Sequence, residues 1–230
     1  MHASTRLMDA PPKSGARPAF PTVDTPSILQ PPRQQRARDT EQALLTAGRE
    51  LLASRDFAAI PVAQIASACK LSVGAFYGRF RDKKAFFESL RALVMRETEE
   101  SIDQYLALER WSQVPTAQML ERTMRFLVNG CRANRGVIRA SLRHAADRPE
   151  EWQPHRESGE AFVRHMLALL LPRMAEPAAT AELRVRFAMQ TVLGMLVNAV
   201  LNDPAPLQLD DERLPVEMAR LVARYLELQD

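Results

Sequence analysis

Apolar positions fall into a helical rhythm from Arg33 onward. Leu44, Ala47, Gly48 and Leu51 recur three or four residues apart, and Leu45 and Leu52 widen the stripe toward Phe57, which predicts a first helix over about 35–54. Pro61 then opens VAQIASACK, where Val62, Ile65, Ala66 and Cys69 share one face; proline suits a first helical turn. Leu71 and Ser72 interrupt the pattern. The Ser72 hydroxyl can accept from a free backbone N–H a few residues on, which caps a third helix from Val73 to Phe80. Asp82 does the same for a fourth, striped by Phe86, Phe87, Leu90, Val94, Ile102 and Tyr105.

Downstream, Pro115, Pro149, Pro177 and the Pro204/Pro206 pair punctuate a helical pattern, giving helices over 82–109, 116–132, 135–146, 150–174, 178–202 and 211–228. No window alternates as a half-buried strand does, so an all-α protein is expected. Residues 1–32 hold seven of the sixteen prolines and few large apolar residues, a composition that neither propagates a helix nor buries a core. The expected organisation is a disordered Pro-rich tail (1–32), a small helical domain (33–84) and a larger one (85–230).

Charge separates the two helical parts. Net charge is only +3, yet residues 33–84 carry ten Lys and Arg against five Asp and Glu, while 85–230 carry 18 against 21. Two cysteines, Cys69 and Cys131, lie far apart without a nearby histidine pair, which suits a reducing cytoplasm and suggests neither zinc site nor disulfide. No signal-like apolar segment opens the chain, and the longest apolar run, Phe187 to Leu201, is interrupted by Gln190, Thr191 and Asn198; neither secretion nor membrane spanning is expected.

The most informative stretch is LSVGAFYGRFRDKK, Leu71 to Lys84. Two short helices joined by a tight turn in the most basic segment are what a helix-turn-helix DNA reader needs, although a plain αα-hairpin has the same spacing. Span 36–90 resembles the N-terminal DNA-binding domain of the TetR (tetracycline repressor) family of bacterial transcriptional regulators. The matching features are Ile65-Ala66, Ser72, Gly74, Phe76-Tyr77, Phe80, Lys83 and Phe87. The resemblance implies a three-helix domain in which Val73, Gly74 and Ala75 face the bases while Tyr77, Arg79 and Lys83 contact phosphates.

The residues have their own physical reading. Gly74 lets backbone approach base edges and Gly78 thins the same element one turn on, each weakening a helix by roughly 1 kcal/mol relative to Ala. Phe76 and Phe80 share an inward face at i,i+4, and Ser72 caps. Val73 and Ala75 reach at most a thymine methyl, which leaves Gln64, Arg36 and Arg38 as further DNA-contact candidates. Two positions depart from the family pattern: Asp56 stands where a glycine often follows the first helix, and Ile60-Pro61 stand where a Ser or Thr cap often begins the second.

In the family, the second domain dimerises and binds a small molecule. By that resemblance the last two helices (178–202, 211–228) form the homodimer interface, which would present two reading helices to a palindromic operator. Helix 178–202 is apolar almost all round and needs covering on several sides. A ligand cavity is expected among 116–132, 150–174 and 178–202, with Phe126, Cys131, Phe162, Met166 and Met189 as lining candidates, although such residues are first of all what cores contain. Arg139, His144 and His165 are polar candidates or ordinary surface residues. No GxSxG, phosphate loop, GxGxxG or HExxH occurs, so neither catalysis nor a cofactor or metal is implied. The expected function is a ligand-released transcriptional repressor; a helical ligand-binding or scaffolding dimer that does not read DNA is the alternative.

Overall fold

The computed structural model describes residues 33–145 and 148–228, all helices and connections without a strand among them. The Pro-rich segment 1–32 lies outside the described residues. Among the described residues nine α-helices follow in order: α1 Arg33–Ser54, α2 Val62–Ala68, α3 Val73–Tyr77, α4 Lys83–Tyr105, α5 Leu108–Trp111, α6 Thr116–Ala145, α7 Gln153–Leu170, α8 Ala178–Asn202 and α9 Leu214–Tyr225. Single 3-10 turns at Pro149–Trp152 and Leu171–Arg173 flank α7.

Local chemistry explains most boundaries. Ser72 Oγ accepts from Ala75 N (3.1 Å) and Asp82 Oδ1 from Ala85 N (2.7 Å), the two caps expected from sequence. Pro61 precedes α2 without a side-chain cap.

Five boundaries differ from expectation, each for an identifiable reason. Helices expected over 116–132 and 135–146 are one, because Asn134 Nδ2 donates to the Gly130 carbonyl (3.1 Å) within the helix instead of diverting the backbone into a turn. The helix expected over 82–109 ends at Tyr105, whose carbonyl accepts from the buried Trp111 indole (2.7 Å) across the turn into α5. The 150–174 segment tightens at both ends; Pro172 lacks the N–H that would continue the ladder. α3 stops at Tyr77, so Gly78 is its C-cap and not an interior position. α9 is shorter than 211–228: Asp211 accepts from Arg213 N (2.8 Å) ahead of it, and Glu227 leaves it at φ 54°.

Two apolar clusters organise the chain. The first gathers Leu44, Leu52, Phe57, Ile65, Phe76, Phe80, Phe86 and Phe87 from α1 to α4. It also includes Val137 and Ala140 of α6, so the small domain is closed from above by the larger one. The second cluster joins α4 to α9 around Trp111, Met124, Phe162, Met189 and Val222. α6 therefore contributes side chains to both clusters.

Candidate DNA-reading face and effector cavity

α2 and α3 are joined by a four-residue turn that needs one left-handed residue, and Lys70 takes that conformation at φ 58°. Leu71 N closes it on the Ala66 carbonyl (2.9 Å). Beneath α3, the Phe76 ring is fully buried against Phe80 (5.4 Å) and Phe86 (5.3 Å), and Phe80 meets Phe86 edge-on (5.1 Å, 84°). Both phenylalanines thus anchor the helix as their spacing predicts.

The opposite face is open. Val73 is 41% and Tyr77 54% exposed, and Ser72, Gly74 and Arg79 are exposed beside them, with Ala75 half-buried. Val73 and Tyr77 are therefore accessible to an external partner. A Cβ on Gly74 would meet nothing nearer than Ser72 Oγ at 3.6 Å, so no internal packing demands the glycine there. Arg38 is exposed on the first turns of α1. Gln64 is half-buried, its Oε1 accepting from Arg55 (2.5 Å).

Lys83 is turned differently. Its ammonium donates to the carbonyls of Phe57 (2.6 Å) and Ala58 (3.1 Å) and lies 4.5 Å above the Phe57 ring, which leaves one N–H for an outside acceptor. Partial burial pushes its pKa down. Asp56 is not among the described residues of positive φ, so no left-handed backbone is needed where the family often has a glycine. Instead its carboxylate pairs with Arg143 near the end of α6, which holds its pKa below the usual carboxylate value.

Several contacts besides this pair tie the reader to the second domain. A Cβ on Gly136 of α6 would lie 2.0 Å from the Leu52 carbonyl oxygen, so the two helices touch backbone to backbone. His144 stacks on Phe87 (5.1 Å, 23°). Glu151, in the turn before α7, is reached by Arg91 (3.4 Å) and Lys84 (3.7 Å) of α4 and by Arg148 (3.1 Å).

A half-open cavity of about 1000 Å³ lies between α4, α6, α7 and α8, with Arg49 of α1 also on its wall. Phe126, Cys131 and Phe162 line it, and α4 adds Met95, Thr98, Ser101 and Ile102. Met166 and Met189 do not line it: both are fully buried in the core behind it, on helix faces whose composition matches the cavity wall. Burial pushes the Cys131 thiol up to about 11, so it is a protonated apolar side chain at neutral pH. Arg139, His144 and His165 stay off the cavity, engaging the Val200 carbonyl (3.2 Å), the Ala140 carbonyl (2.8 Å) and Asp103 (2.8 Å). Sequence reasoning missed Trp152 and His155, which line it with rings stacked at 4.1 Å. Among the described residues no cluster of His, Cys, Asp or Glu could hold a metal ion.

The outer faces of α8 and α9 carry Leu183 (69% exposed), Phe187 (52%), Leu201, Leu221 and Tyr225, with Phe187 and Tyr225 in ring contact at 5.7 Å. α8 is long and apolar enough to cross a membrane by length and composition alone; its inner face is buried against the other helices of the domain.

A capped helix-turn-helix with an outward apolar and basic face, fused to an all-helical domain around a cavity, defines a DNA-binding transcriptional regulator. The comparisons agree. Residues 44–90 match the model described as bacterial regulatory proteins, tetR family, and residues 115–226 match the tetracyclin repressor-like C-terminal domain. The chain belongs to the TetR family. No match is found among curated protein sequences. Its fold is similar to that of a tetR-family transcriptional regulator from Streptomyces coelicolor (TM-score 0.63, 18% identity, 82% of this chain and 80% of that one). It is similar as well to a TetR-family regulator from Mesorhizobium loti (0.63, 14%, 82% and 97%). A third similar structure is RolR in complex with resorcinol (0.50, 21%, 86% and 92%).

Proposed function

We propose that the protein is a cytoplasmic homodimeric repressor, without enzymatic activity, that leaves a palindromic operator when a small molecule fills the α4–α6–α7–α8 cavity. One observation carries this reading: α4 and α6 wall the cavity and also pack into the reader. A ligand that prefers a different separation of these helices thereby prefers a different spacing of the two reading helices, and that differential affinity lowers operator binding.

In this reading Val73, Gly74 and Ala75 meet base edges, and Tyr77, Arg79 and Ser72 meet the backbone. Arg38 and Gln64 add flanking contacts. Lys83 keeps its loop carbonyls and offers its third N–H to phosphate at the N-terminus of α4, where the helix dipole favours an anion. The α8 and α9 stripes pair across a two-fold axis, which sets the reading helices about one DNA turn, roughly 34–36 Å, apart.

Fluorescence anisotropy with the chain's own upstream DNA over a salt series tests the reading; a folded dimer that shows no specific binding at low salt overturns it. Lys83→Ala is expected to flatten the salt slope by about one unit. It is also expected to lower the melting temperature, because the 57–58 carbonyls lose their donor. An unchanged slope with a lowered melting temperature would leave Lys83 as a brace only. Leu183→Glu with Phe187→Glu is expected to give a monomer by sedimentation and to weaken operator binding more than about tenfold.

A further inference from the structure

Exposed residues recur along α8 at Leu183, Phe187, Gln190, Gly194, Asn198 and Leu201. Steps of three and four positions place all six on one stripe of the helix. Gln190 and Gly194, in the middle of that stripe, also line the cavity; the other four do not. The half-open cavity therefore reaches solvent through the outward face of α8. Val163 of α7 and Leu193, Leu196 and Val197 of α8 make the neighbouring wall apolar.

Within the subunit these two residues are left uncovered. The Gln190 amide has no hydrogen-bond partner among the described residues. A Cβ on Gly194 would meet no atom within 4 Å, although glycine weakens a helix interior relative to alanine. Leu183 and Phe187 stand exposed on one side of the mouth and Leu201 on the other, and Phe187 carries the stripe across to Tyr225 of α9 (5.7 Å). Contiguous apolar surface around an opening marks a protein contact. A two-fold axis pairs such a surface with itself, so the stripe of one copy meets the stripe of the other.

We propose that a second copy of this chain closes the cavity: its α8 lies across Gln190 and Gly194, so the binding site is complete only in the dimer and its occupant touches both subunits. The absent side chain at Gly194 lets the partner's helix come close where the wall is missing. An occupant held between the two copies bears directly on the angle between them, and its binding and dimerisation strengthen each other by the same factor. The inference rests on the homodimer and the effector cavity of the proposed function.

The test titrates the full-length chain with the apolar dye Nile red and follows oligomeric state by sedimentation. Leu183→Glu with Phe187→Glu alters no residue of the cavity wall. The folded monomer it gives is expected to bind the dye at least about tenfold more weakly than the parent dimer, with red-shifted emission, because one side of the dye stays wet. Gly194→Leu has room within its own subunit and is expected to weaken the dimer at least about tenfold. Gly130→Leu, on the cavity wall in α6 and equally free of neighbours within 4 Å, is expected to leave the dimer unchanged. A monomer that binds the dye with the affinity and emission of the parent overturns the shared cavity and leaves the effector cavity intact. A Gly194→Leu dimer as tight as the parent removes the partner from the mouth, and this arm decides alone if the double variant does not fold. A double variant that stays dimeric overturns the α8–α9 interface and the inference with it. Failure of the folded parent dimer to bind the dye brings down the cavity reading together with the inference.

Discussion

Phe76→Ala is expected to abolish specific operator binding and to destabilise the reader by about 3–5 kcal/mol, while the chain remains a dimer. The ring is fully buried and touches Phe80, Phe86 and Tyr77. α3 has only five residues, too few to hold helical form without the core beneath it. Phe86 also fills the space under Gly48, where a Cβ would come within 2.3 Å of the ring, so the loss spreads to the α1–α4 contact. The α8–α9 surface belongs to the other cluster and is untouched. Circular dichroism melting, sedimentation and anisotropy check the three parts. A variant that melts normally and still binds its operator would show that α3 does not depend on this core.

Gly136→Ala has the second large expected effect, a loss of about 3 kcal/mol or more. Alanine favours a helix interior by up to about 1 kcal/mol over glycine, so propensity alone predicts a gain. Geometry reverses the sign, since the new methyl would sit 2.0 Å from the Leu52 carbonyl oxygen and 2.3 Å from its carbon. Backbone cannot rotate aside as a flexible side chain can, so α6 must separate from α1. Gly130→Ala on the same helix is the control: a Cβ there meets nothing within 4 Å, and the expected change is a gain of up to about 1 kcal/mol. Paired thermal melts decide it, and equal shifts of the same sign would refute the close-contact argument.

The reader was legible in the sequence because its instructions are local. Ser72 and Asp82 cap the helices they precede, and Phe76 and Phe80 at i,i+4 point inward regardless of what lies further away. The second domain was legible as helices but not as surfaces. Periodicity assigns Met166 and Met189 to an apolar face, yet a cavity wall and a core face have the same composition; only the packing of α7 against α8 separates them. Helix ends were missed where the deciding bond spans a turn, as from Trp111 to Tyr105. His155 carried no signal in its own neighbourhood, because its place on the cavity wall depends on how the other elements pack. Gly136 did carry one, a glycine inside an otherwise helical run, but the Leu52 backbone it makes room for lies 84 positions earlier.

α6 continues unbroken for 30 residues, so one end can be rewritten without disturbing the other. Exchanges at Phe126, Leu127 or Cys131 would reshape the cavity, while Gly136, Val137 and Arg143 still meet the same parts of the reader. A protein built this way can change its chemical vocabulary through a handful of side chains and keep its genetic address. Its versatility lies in the continuity of one rod.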